Sequence, residues 1–333
     1  MDPQIAARFN DRILAAACLQ YATPMSALRP LDGFESFIYE AERSDGPFIL
    51  RIGHSTRRSS NLIHGEVDWI DHLAAGGTPV ARALPSSRGN LVEALADDEG
   101  GEFLCTAFTK APGAHATRSQ LTEPLFLNYG RLLGRMHALA KTYTPSNLGW
   151  QRYTWDSPEN NTPDRQLQPA DEHIRRKYEA LREHLRSLPR DTASYGMIHQ
   201  DAHLGNLFVD TDLTLTLFDF DDCVYGHFIY DLAMVLFYMV LWGHPDPSAF
   251  TGQFMPVFLR GYREHHQLDQ HWLQELPHFL KLREIDLFAA ILYTQGETPT
   301  EPWSARYMAG RRTRIENDMP FLEYDWSSLA RHL

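Results

Sequence analysis

Residues 199–206 read His-Gln-Asp-Ala-His-Leu-Gly-Asn, and Asp219-Phe220-Asp221 follows after one short hairpin. The stretch supplies, in order, a loop carboxylate at Asp201, a neutral amide oxygen at Asn206 and a second carboxylate at Asp219. Phosphoryl transfer asks little covalent chemistry of a protein. It needs a carboxylate to orient and deprotonate a hydroxyl, and oxygen ligands to hold a divalent cation on the phosphates. Asp201 stands where a catalytic base is wanted. Asn206 and Asp219 are hard donors suited to Mg2+, which keeps several waters and uses few protein ligands. Each residue also has a plainer role open to it: Asp201 and Asp219 as turn formers, Asn206 as a loop cap. The ordered triple favours the chemical reading.

The residues around the triple divide into supports and alternatives. His199 follows apolar Met197-Ile198 and is expected to fix the loop by bonding backbone. Asp231, in Tyr230-Asp231-Leu232-Ala233, is expected to cap the next helix or to hold the loop from behind. A competing reading draws His199, Asp201 and His203 as zinc ligands, with Asp219, Asp221 or Asp222 completing the set. That spacing is looser than zinc signatures usually are. Asp221 and Asp222 read as a solvated acidic turn, with Asp221 also in reach of a second metal ion.

Before the triple the pattern is α+β. Pro3 to Ala22 has helical spacing. Phe37-Ile38-Tyr39 and Phe48-Ile49-Leu50-Arg51-Ile52 flank Ser44-Asp45-Gly46, a hairpin signal. Asn61 to Ala75 reads as a helix closed by Gly76-Gly77, and Val80 to Leu84 and Glu102 to Phe108 as two more strands. The loop Leu31-Asp32-Gly33-Phe34-Glu35-Ser36 offers one glycine and Ser36 for backbone approach to phosphates, although neither GxGxxG nor GxxxxGK[ST] occurs. Arg51 is the cation on the following strand that can reach phosphates, and Glu66 on the next helix can pair with it. Lys110-Ala111-Pro112-Gly113 breaks the pattern as a hinge. Beyond it Leu125 to Ala140 is an amphipathic helix and Trp150 to Pro169 an irregular excursion. Glu172 to Leu188 is helical, and Leu207 to Val209 with Leu213 to Phe218 form a hairpin about Asp210-Thr211-Asp212. Three or four helices run from Ile229 to about Asn317.

Bulk properties narrow the class. The chain has 333 residues, enough for two lobes with separate cores, and a net charge of −12. That balance argues against nucleic acid or an anionic membrane as partner. Three separated cysteines suggest neither a zinc knuckle nor a disulfide framework. No signal peptide is evident and the longest apolar run, Leu232 to Trp242, is too short to span a bilayer. A cytoplasmic protein is expected. Lysine occurs only at positions 110, 141, 177 and 281.

His199 to Asn206, then Phe218-Asp219-Phe220-Asp221, then Tyr230 to Ala233 resemble the signature of the aminoglycoside phosphotransferase family, nearest its stress-response kinase-like and homoserine kinase-like bacterial members. The resemblance extends to Tyr129-Gly130-Arg131-Leu132-Leu133-Gly134-Arg135-Met136-His137, to Gly261-Tyr262-Arg263 and to Arg283-Glu284. It implies a two-lobed protein-kinase-like fold of the α+β class: an N-terminal nucleotide-binding lobe over 1–108 with an antiparallel sheet, and a larger, mostly helical catalytic lobe over 109–333. It implies an ATP- and Mg2+-dependent phosphotransferase acting on a small-molecule hydroxyl. Asp201 matches the catalytic residue, Asn206 and Asp219 the metal ligands, Glu66 the helix glutamate, and Thr106 to Phe108 the adenine-binding hinge. Two positions depart from the family: Gln200 stands where many members have Gly, and Arg51 stands in place of the nucleotide-binding lysine. Arginine keeps the charge but presents a planar fork instead of a point charge. Two alternatives stay open: a protein Ser/Thr kinase, and a non-catalytic nucleotide-binding module.

Overall fold

The computed structural model describes residues 3–33, 35–43, 46–160, 162–242 and 244–332. The chain forms two compact units. The smaller comprises Met1–Ala114, Tyr143–Arg152 and Thr216–Asp221; the larger comprises His115–Thr142, Tyr153–Leu215 and Asp222–Leu333.

The smaller unit is built on an antiparallel sheet. Its strands are β1 (Arg29–Leu31), β2 (Phe37–Arg43), β3 (Gly46–His54), β4 (Ala83–Leu84), β5 (Glu93–Ala96) and β6 (Glu102–Thr109). The order is β1-β2-β3-β6-β4, with β5 also pairing β6. The hairpin of β2 and β3 closes with Arg43 opposite Gly46; Ser44 and Asp45 of its turn lie outside the described residues, as does Phe34 of the candidate loop. Alternation on β3 and β6 separates two faces. Phe48, Leu50, Ile52, Phe103, Cys105 and Ala107 join one core. Arg51 and Thr106, opposite each other in register, point to the other face.

Two helices cover the sheet's core face where one was expected. The periodicity runs from Pro3 to Ala22, but α1 (Pro3–Ala6) stops and α2 (Asp11–Gln20) restarts. Asn10 causes the break: its side chain accepts from the N–H groups of Arg12 and Ile13, capping α2 afresh. Tyr21 then donates its hydroxyl proton to the Cys105 carbonyl, 2.9 Å away. Helix α3 (Ser60–Ala75) starts from a Ser59 cap, one residue before the expected Asn61, and ends at the Gly76-Gly77 stop read from the sequence. Residues 143–152 strap it: Tyr143 Oη donates to Asp68 at 2.8 Å, and Trp150 stacks on His64. Of the expected strand Val80 to Leu84 only β4 is regular; Val80 instead makes a parallel bridge to Leu217.

The larger unit is helical. It contains α4 (Glu123–Ala140), α5 (Thr162–Gln166), α6 (Glu172–Arg186), α7 (Phe228–Leu241), α8 (Pro247–Tyr262), α9 (Trp272–Gln295), α10 (Pro302–Met308) and α11 (Arg311–Glu316). The final stretch therefore holds five α-helices among the described residues, more than the three or four expected. Helices α4 and α8 pack backbone to backbone. A Cβ on Gly130 would lie 1.9 Å from the Phe258 carbonyl oxygen, and one on Gly261 would lie 2.1 Å from that of Leu127. Strands β7 (Tyr195–Ile198), β8 (Leu207–Val209), β9 (Leu215–Leu217) and β10 (Val224–His227) complete the chain. The turn after β8 is tied by Asp210, whose carboxylate accepts from the Asp212 and Thr214 N–H groups. β7 pairs β10, a long-range contact that no local pattern announces. Among the described residues no helix is long and apolar enough to cross a membrane.

Candidate active site

The loop leaving β7 carries Asp201 and Asn206, both in the larger unit. Asp231, fully buried on α7, anchors it. Its carboxylate accepts from His199 N–H at 2.9 Å and Gln200 N–H at 2.7 Å, and its Oδ2 lies 3.2 Å from His137 Nε2. His137 Nδ1 in turn meets the Tyr262 hydroxyl at 2.7 Å. Asp231 sits inside the first turn of α7 and does not cap it, so loop anchoring is its role. His199 is buried, and its Nδ1 accepts from Asp201 N–H at 3.2 Å. Tyr129 Oη donates to the Ala202 carbonyl. These bonds hold Gln200 at φ +69°, the left-handed region where glycine costs least. Gln200 meets here a backbone demand that glycine would meet at the least cost.

The Asp201 carboxylate is gripped on both oxygens. Arg283 Nη2 donates to Oδ1 at 3.2 Å. His203 Nε2 lies 3.3 Å from Oδ2. Asn206 Nδ2 donates to the Asp201 carbonyl at 2.9 Å and to Oδ2 at 3.1 Å. Burial pushes the Asp201 carboxyl up, but His203, Arg283 and His199 together hold it well below the usual carboxylate range. With Asn206 Nδ2 on Asp201, its Oδ1 faces away from that carboxylate. His203 has a second duty, accepting from Gly205 N–H at 2.9 Å. Sequence reasoning missed Arg283 as a partner of Asp201; only the return of α9 to this loop brings it there. Its Nη2 also donates to the Tyr238 hydroxyl at 2.5 Å.

Of two cavities within the larger unit, the smaller adjoins this loop. One, of about 190 Å³, is lined by His203, Leu204, Gly205, Tyr238, Leu241, Trp242 and Trp303. The other, of about 410 Å³, shares Leu241 and Trp303 with it and adds Arg306, Arg311 and Arg314.

The remaining candidates belong to the smaller unit. Arg51 is buried and bidentate on Glu66, with Nη1–Oε1 2.8 Å and Nη2–Oε2 2.6 Å. Its guanidinium lies 4.9 Å from the centroid of the Phe108 ring. Burial lowers its pKa, but Glu66, Asp221 and Asp219 outweigh that and raise it. Thr106 and Phe108 lie inside β6, and the Thr106 hydroxyl is buried without a hydrogen-bond partner. Ser36 precedes β2, its Oγ 3.3 Å from where a Cβ on Gly53 would stand. Asp219 adopts φ +62°, a conformation that aspartate tolerates better than most residues.

Asp221 is not a solvated turn residue. Its carboxylate meets Arg57 Nη2 at 2.6 Å and Arg58 Nε at 3.6 Å. Its carbonyl accepts from Arg152 Nη2 at 2.5 Å. Burial raises its carboxyl pKa, but Arg57, Arg58, Arg51 and Arg152 drive it below the ordinary range. Sequence reading does not reveal the cluster, because Arg57 and Arg152 lie 164 and 69 residues from the anion they share. The zinc alternative fails on the same geometry. Asp221 is spent on arginines and His199 on the loop backbone. Among the described residues the only His, Cys, Asp and Glu side chains grouped closely enough for one ion are His184, Glu275 and His278.

Known proteins match the chain over most of its length. The model of the phosphotransferase enzyme family matches residues 27–272. Amicoumacin kinase of Bacillus subtilis (strain 168) is 38% identical over 331 residues, 96% of each chain. Among solved structures, an amicoumacin kinase in complex with AMP-PNP, Ca2+ and Ami superposes with a TM-score of 0.93 at 32% identity, covering 99% of this chain and 100% of that one. A microcompartment-associated aminopropanol kinase shares the fold, with a TM-score of 0.72 at 24% identity over 92% of this chain and 97% of that one. The protein-kinase-like α+β fold expected from the motifs is thus the fold observed. With its signature loop, its bidentate Arg51–Glu66 pair and a match over most of its length, the chain belongs to the phosphotransferase enzyme family.

Proposed function

We propose that this protein transfers the γ-phosphate of ATP, with Mg2+, to a hydroxyl group of a small molecule. The observation that carries the reading is the Asp201 carboxylate, held by Arg283, His203 and Asn206 beside an aromatic-lined cavity. A small aromatic-lined cavity of that kind suits a compact acceptor, and a protein Ser/Thr kinase would want a broad polar groove instead. The relatives above are kinases of small molecules, which supports the same choice.

In this reading Asp201 is ionised at neutral pH and accepts a hydrogen bond from the acceptor hydroxyl, aligning its oxygen. A carboxylate so depressed is a weak base, so the proton passes to it late, once the oxygen–phosphorus bond is forming. Asn206 Oδ1 and the Asp219 carboxylate would hold Mg2+, which supplies charge neutralisation on the phosphates. Arg51, fixed by Glu66, would face the α and β phosphates, and Ser36 the loop above them. Thr106 and Phe108 would flank the adenine. Residues 1–108 would serve as the nucleotide lobe and 109–333 as the catalytic lobe, in the cytoplasm. ATP and a divalent cation find support in the relative solved with AMP-PNP and Ca2+; Mg2+ is the form we propose for the working enzyme. Amicoumacin is the first acceptor to test, since a relative at 38% identity is named for it.

The test is ADP release with and without a panel of hydroxylated acceptors, amicoumacin among them. Asp201→Asn is expected to lower acceptor-dependent turnover by about 10²–10⁴-fold while nucleotide affinity stays within about twofold. Equal loss of both would remove Asp201 from the base position. Absence of acceptor-stimulated turnover across the panel, with nucleotide still bound, would support the non-catalytic alternative.

A further inference from the structure

Three side chains outside the described loop converge on one point. The last turn of α6 presents His184. The start of α9 presents Glu275 and, three residues on, His278. His184 Nε2 lies 2.7 Å from Glu275 Oε2, and His278 Nδ1 lies 2.9 Å from the same oxygen. The two imidazole centroids are 4.6 Å apart. All three donor atoms fall within 4.8 Å of one another, and no other trio of His, Cys, Asp or Glu among the described residues does so. Side-chain exposures of 42%, 17% and 44% leave the trio open to water on one side.

We propose that His184, Glu275 and His278 form a binding site for a divalent transition-metal ion of the zinc class. The donor set argues for that class. Two imidazole nitrogens and one carboxylate oxygen suit Zn2+, Co2+, Ni2+ or Cu2+, whereas Mg2+ and Ca2+ take oxygen shells. The spacing is near what such an ion needs. Ligand bonds of about 2.0–2.1 Å in a tetrahedron place donors about 3.3 Å apart. The present 2.7 and 2.9 Å separations must open by about half an ångström, a small rotation for exposed imidazoles. Each histidine now turns the required nitrogen toward Glu275, so only its proton must move to the far ring nitrogen when the ion enters. Water completes the coordination through the exposed side. The donors come from two helices distant in sequence, so the ion would staple the C-terminal end of α6 to the N-terminal end of α9. Because the unfolded chain does not bring the three together, binding would stabilise the native fold. The site is independent of the phosphotransfer reading.

The experiment uses the full, untagged chain stripped of metal, with excess Mg2+ present throughout to saturate hard oxygen sites. Zn2+ is titrated by equilibrium dialysis, and Co2+ by visible absorption. One equivalent of Zn2+ is expected to bind and to raise Tm, with Co2+ giving the absorption of a nitrogen- and oxygen-ligated ion. His184→Ala and His278→Ala should each weaken Zn2+ binding about tenfold or more and abolish the rise in Tm. Both residues are exposed enough for the variants to fold, and circular dichroism checks that they do. Failure of the wild-type chain to bind a stoichiometric ion, or unchanged affinity in a folded double-histidine variant, would overturn the proposal and leave a hydrogen-bonded trio only.

Discussion

At the residue scale, Arg51 is the departure with the sharpest consequence. A lysine in the family pattern offers one ammonium; Arg51 spends two nitrogens on both oxygens of the buried Glu66 and lies over Phe108. Arg51→Lys would leave a Glu66 oxygen unpaired inside the unit, and a hydrogen bond to a charged group contributes about 1.5–3 kcal/mol. Turnover per unit of ATP affinity, kcat/KM for ATP, is expected to fall about tenfold or more. A rise would mark the arginine as a handicap. Arg283 carries a second expectation. Arg283→Met removes the donor on Asp201 Oδ1 and should lower kcat about tenfold with KM for ATP unchanged. An equal change in both constants would assign it to folding instead. Asp201, Asn206 and Asp219 were visible as candidates because they are compressed into nineteen residues of sequence. Arg283 and the arginines around Asp221 were not, because each reaches its carboxylate only through tertiary structure.

At the scale of elements, period and punctuation decided what could be read. α3, with its Ser59 cap and Gly76-Gly77 stop, and the Asp210 turn both carry their signals locally. The break at Asn10 was concealed because apolar spacing continues through it, and a capping side chain overrode the pattern. β10 escaped notice because its partner β7 lies far back in sequence. The α4–α8 crossing shows how one position can fix the distance between two elements. Gly130→Ala sets a methyl group against the Phe258 carbonyl, and backbone cannot yield as a side chain can. Overpacking of this kind costs about 1–3 kcal/mol. Thermal unfolding should shift down by about 2–10 °C; an unchanged Tm would mean that the helices separate freely.

At the scale of the whole molecule, the larger unit responds to acid through buried imidazoles. Burial, with Arg190 nearby, lowers the His227 pKa to about 4. Burial, with His137 and Lys141, lowers that of His266 to about 3. Both stay neutral when folded and take up protons on unfolding, so their stabilisation is complete above pH about 6.5 and fades as pH falls toward 4. Together this amounts to at most about 6 kcal/mol between pH 7 and 4. Asp286 works the other way. Burial raises its pKa to about 6 against the pull of Tyr178 and Arg283, so its contribution is present below pH about 4 and lost through pH 6, roughly 2 kcal/mol over the same span. Net stability should therefore drop by about 4 kcal/mol from pH 7 to pH 4. His266→Gln, which keeps a donor for the Ala193 carbonyl, should remove about three-quarters of that drop in urea unfolding read against pH. An undiminished slope would place the acid sensitivity elsewhere.

The smaller unit draws on three separated stretches of chain, the last ending at Asp221. Its six-stranded sheet lies wholly within the first 114 residues, but the segments around it are finished later: Val80 waits for Leu217, and Asp68 of α3 waits for Tyr143 and Ser146. As the polypeptide leaves the ribosome, the strands can pair early, while Val80 and α3 keep unmet contacts until about two-thirds of the message has been read. That interval of partial completion is when a chaperone has most to offer this unit.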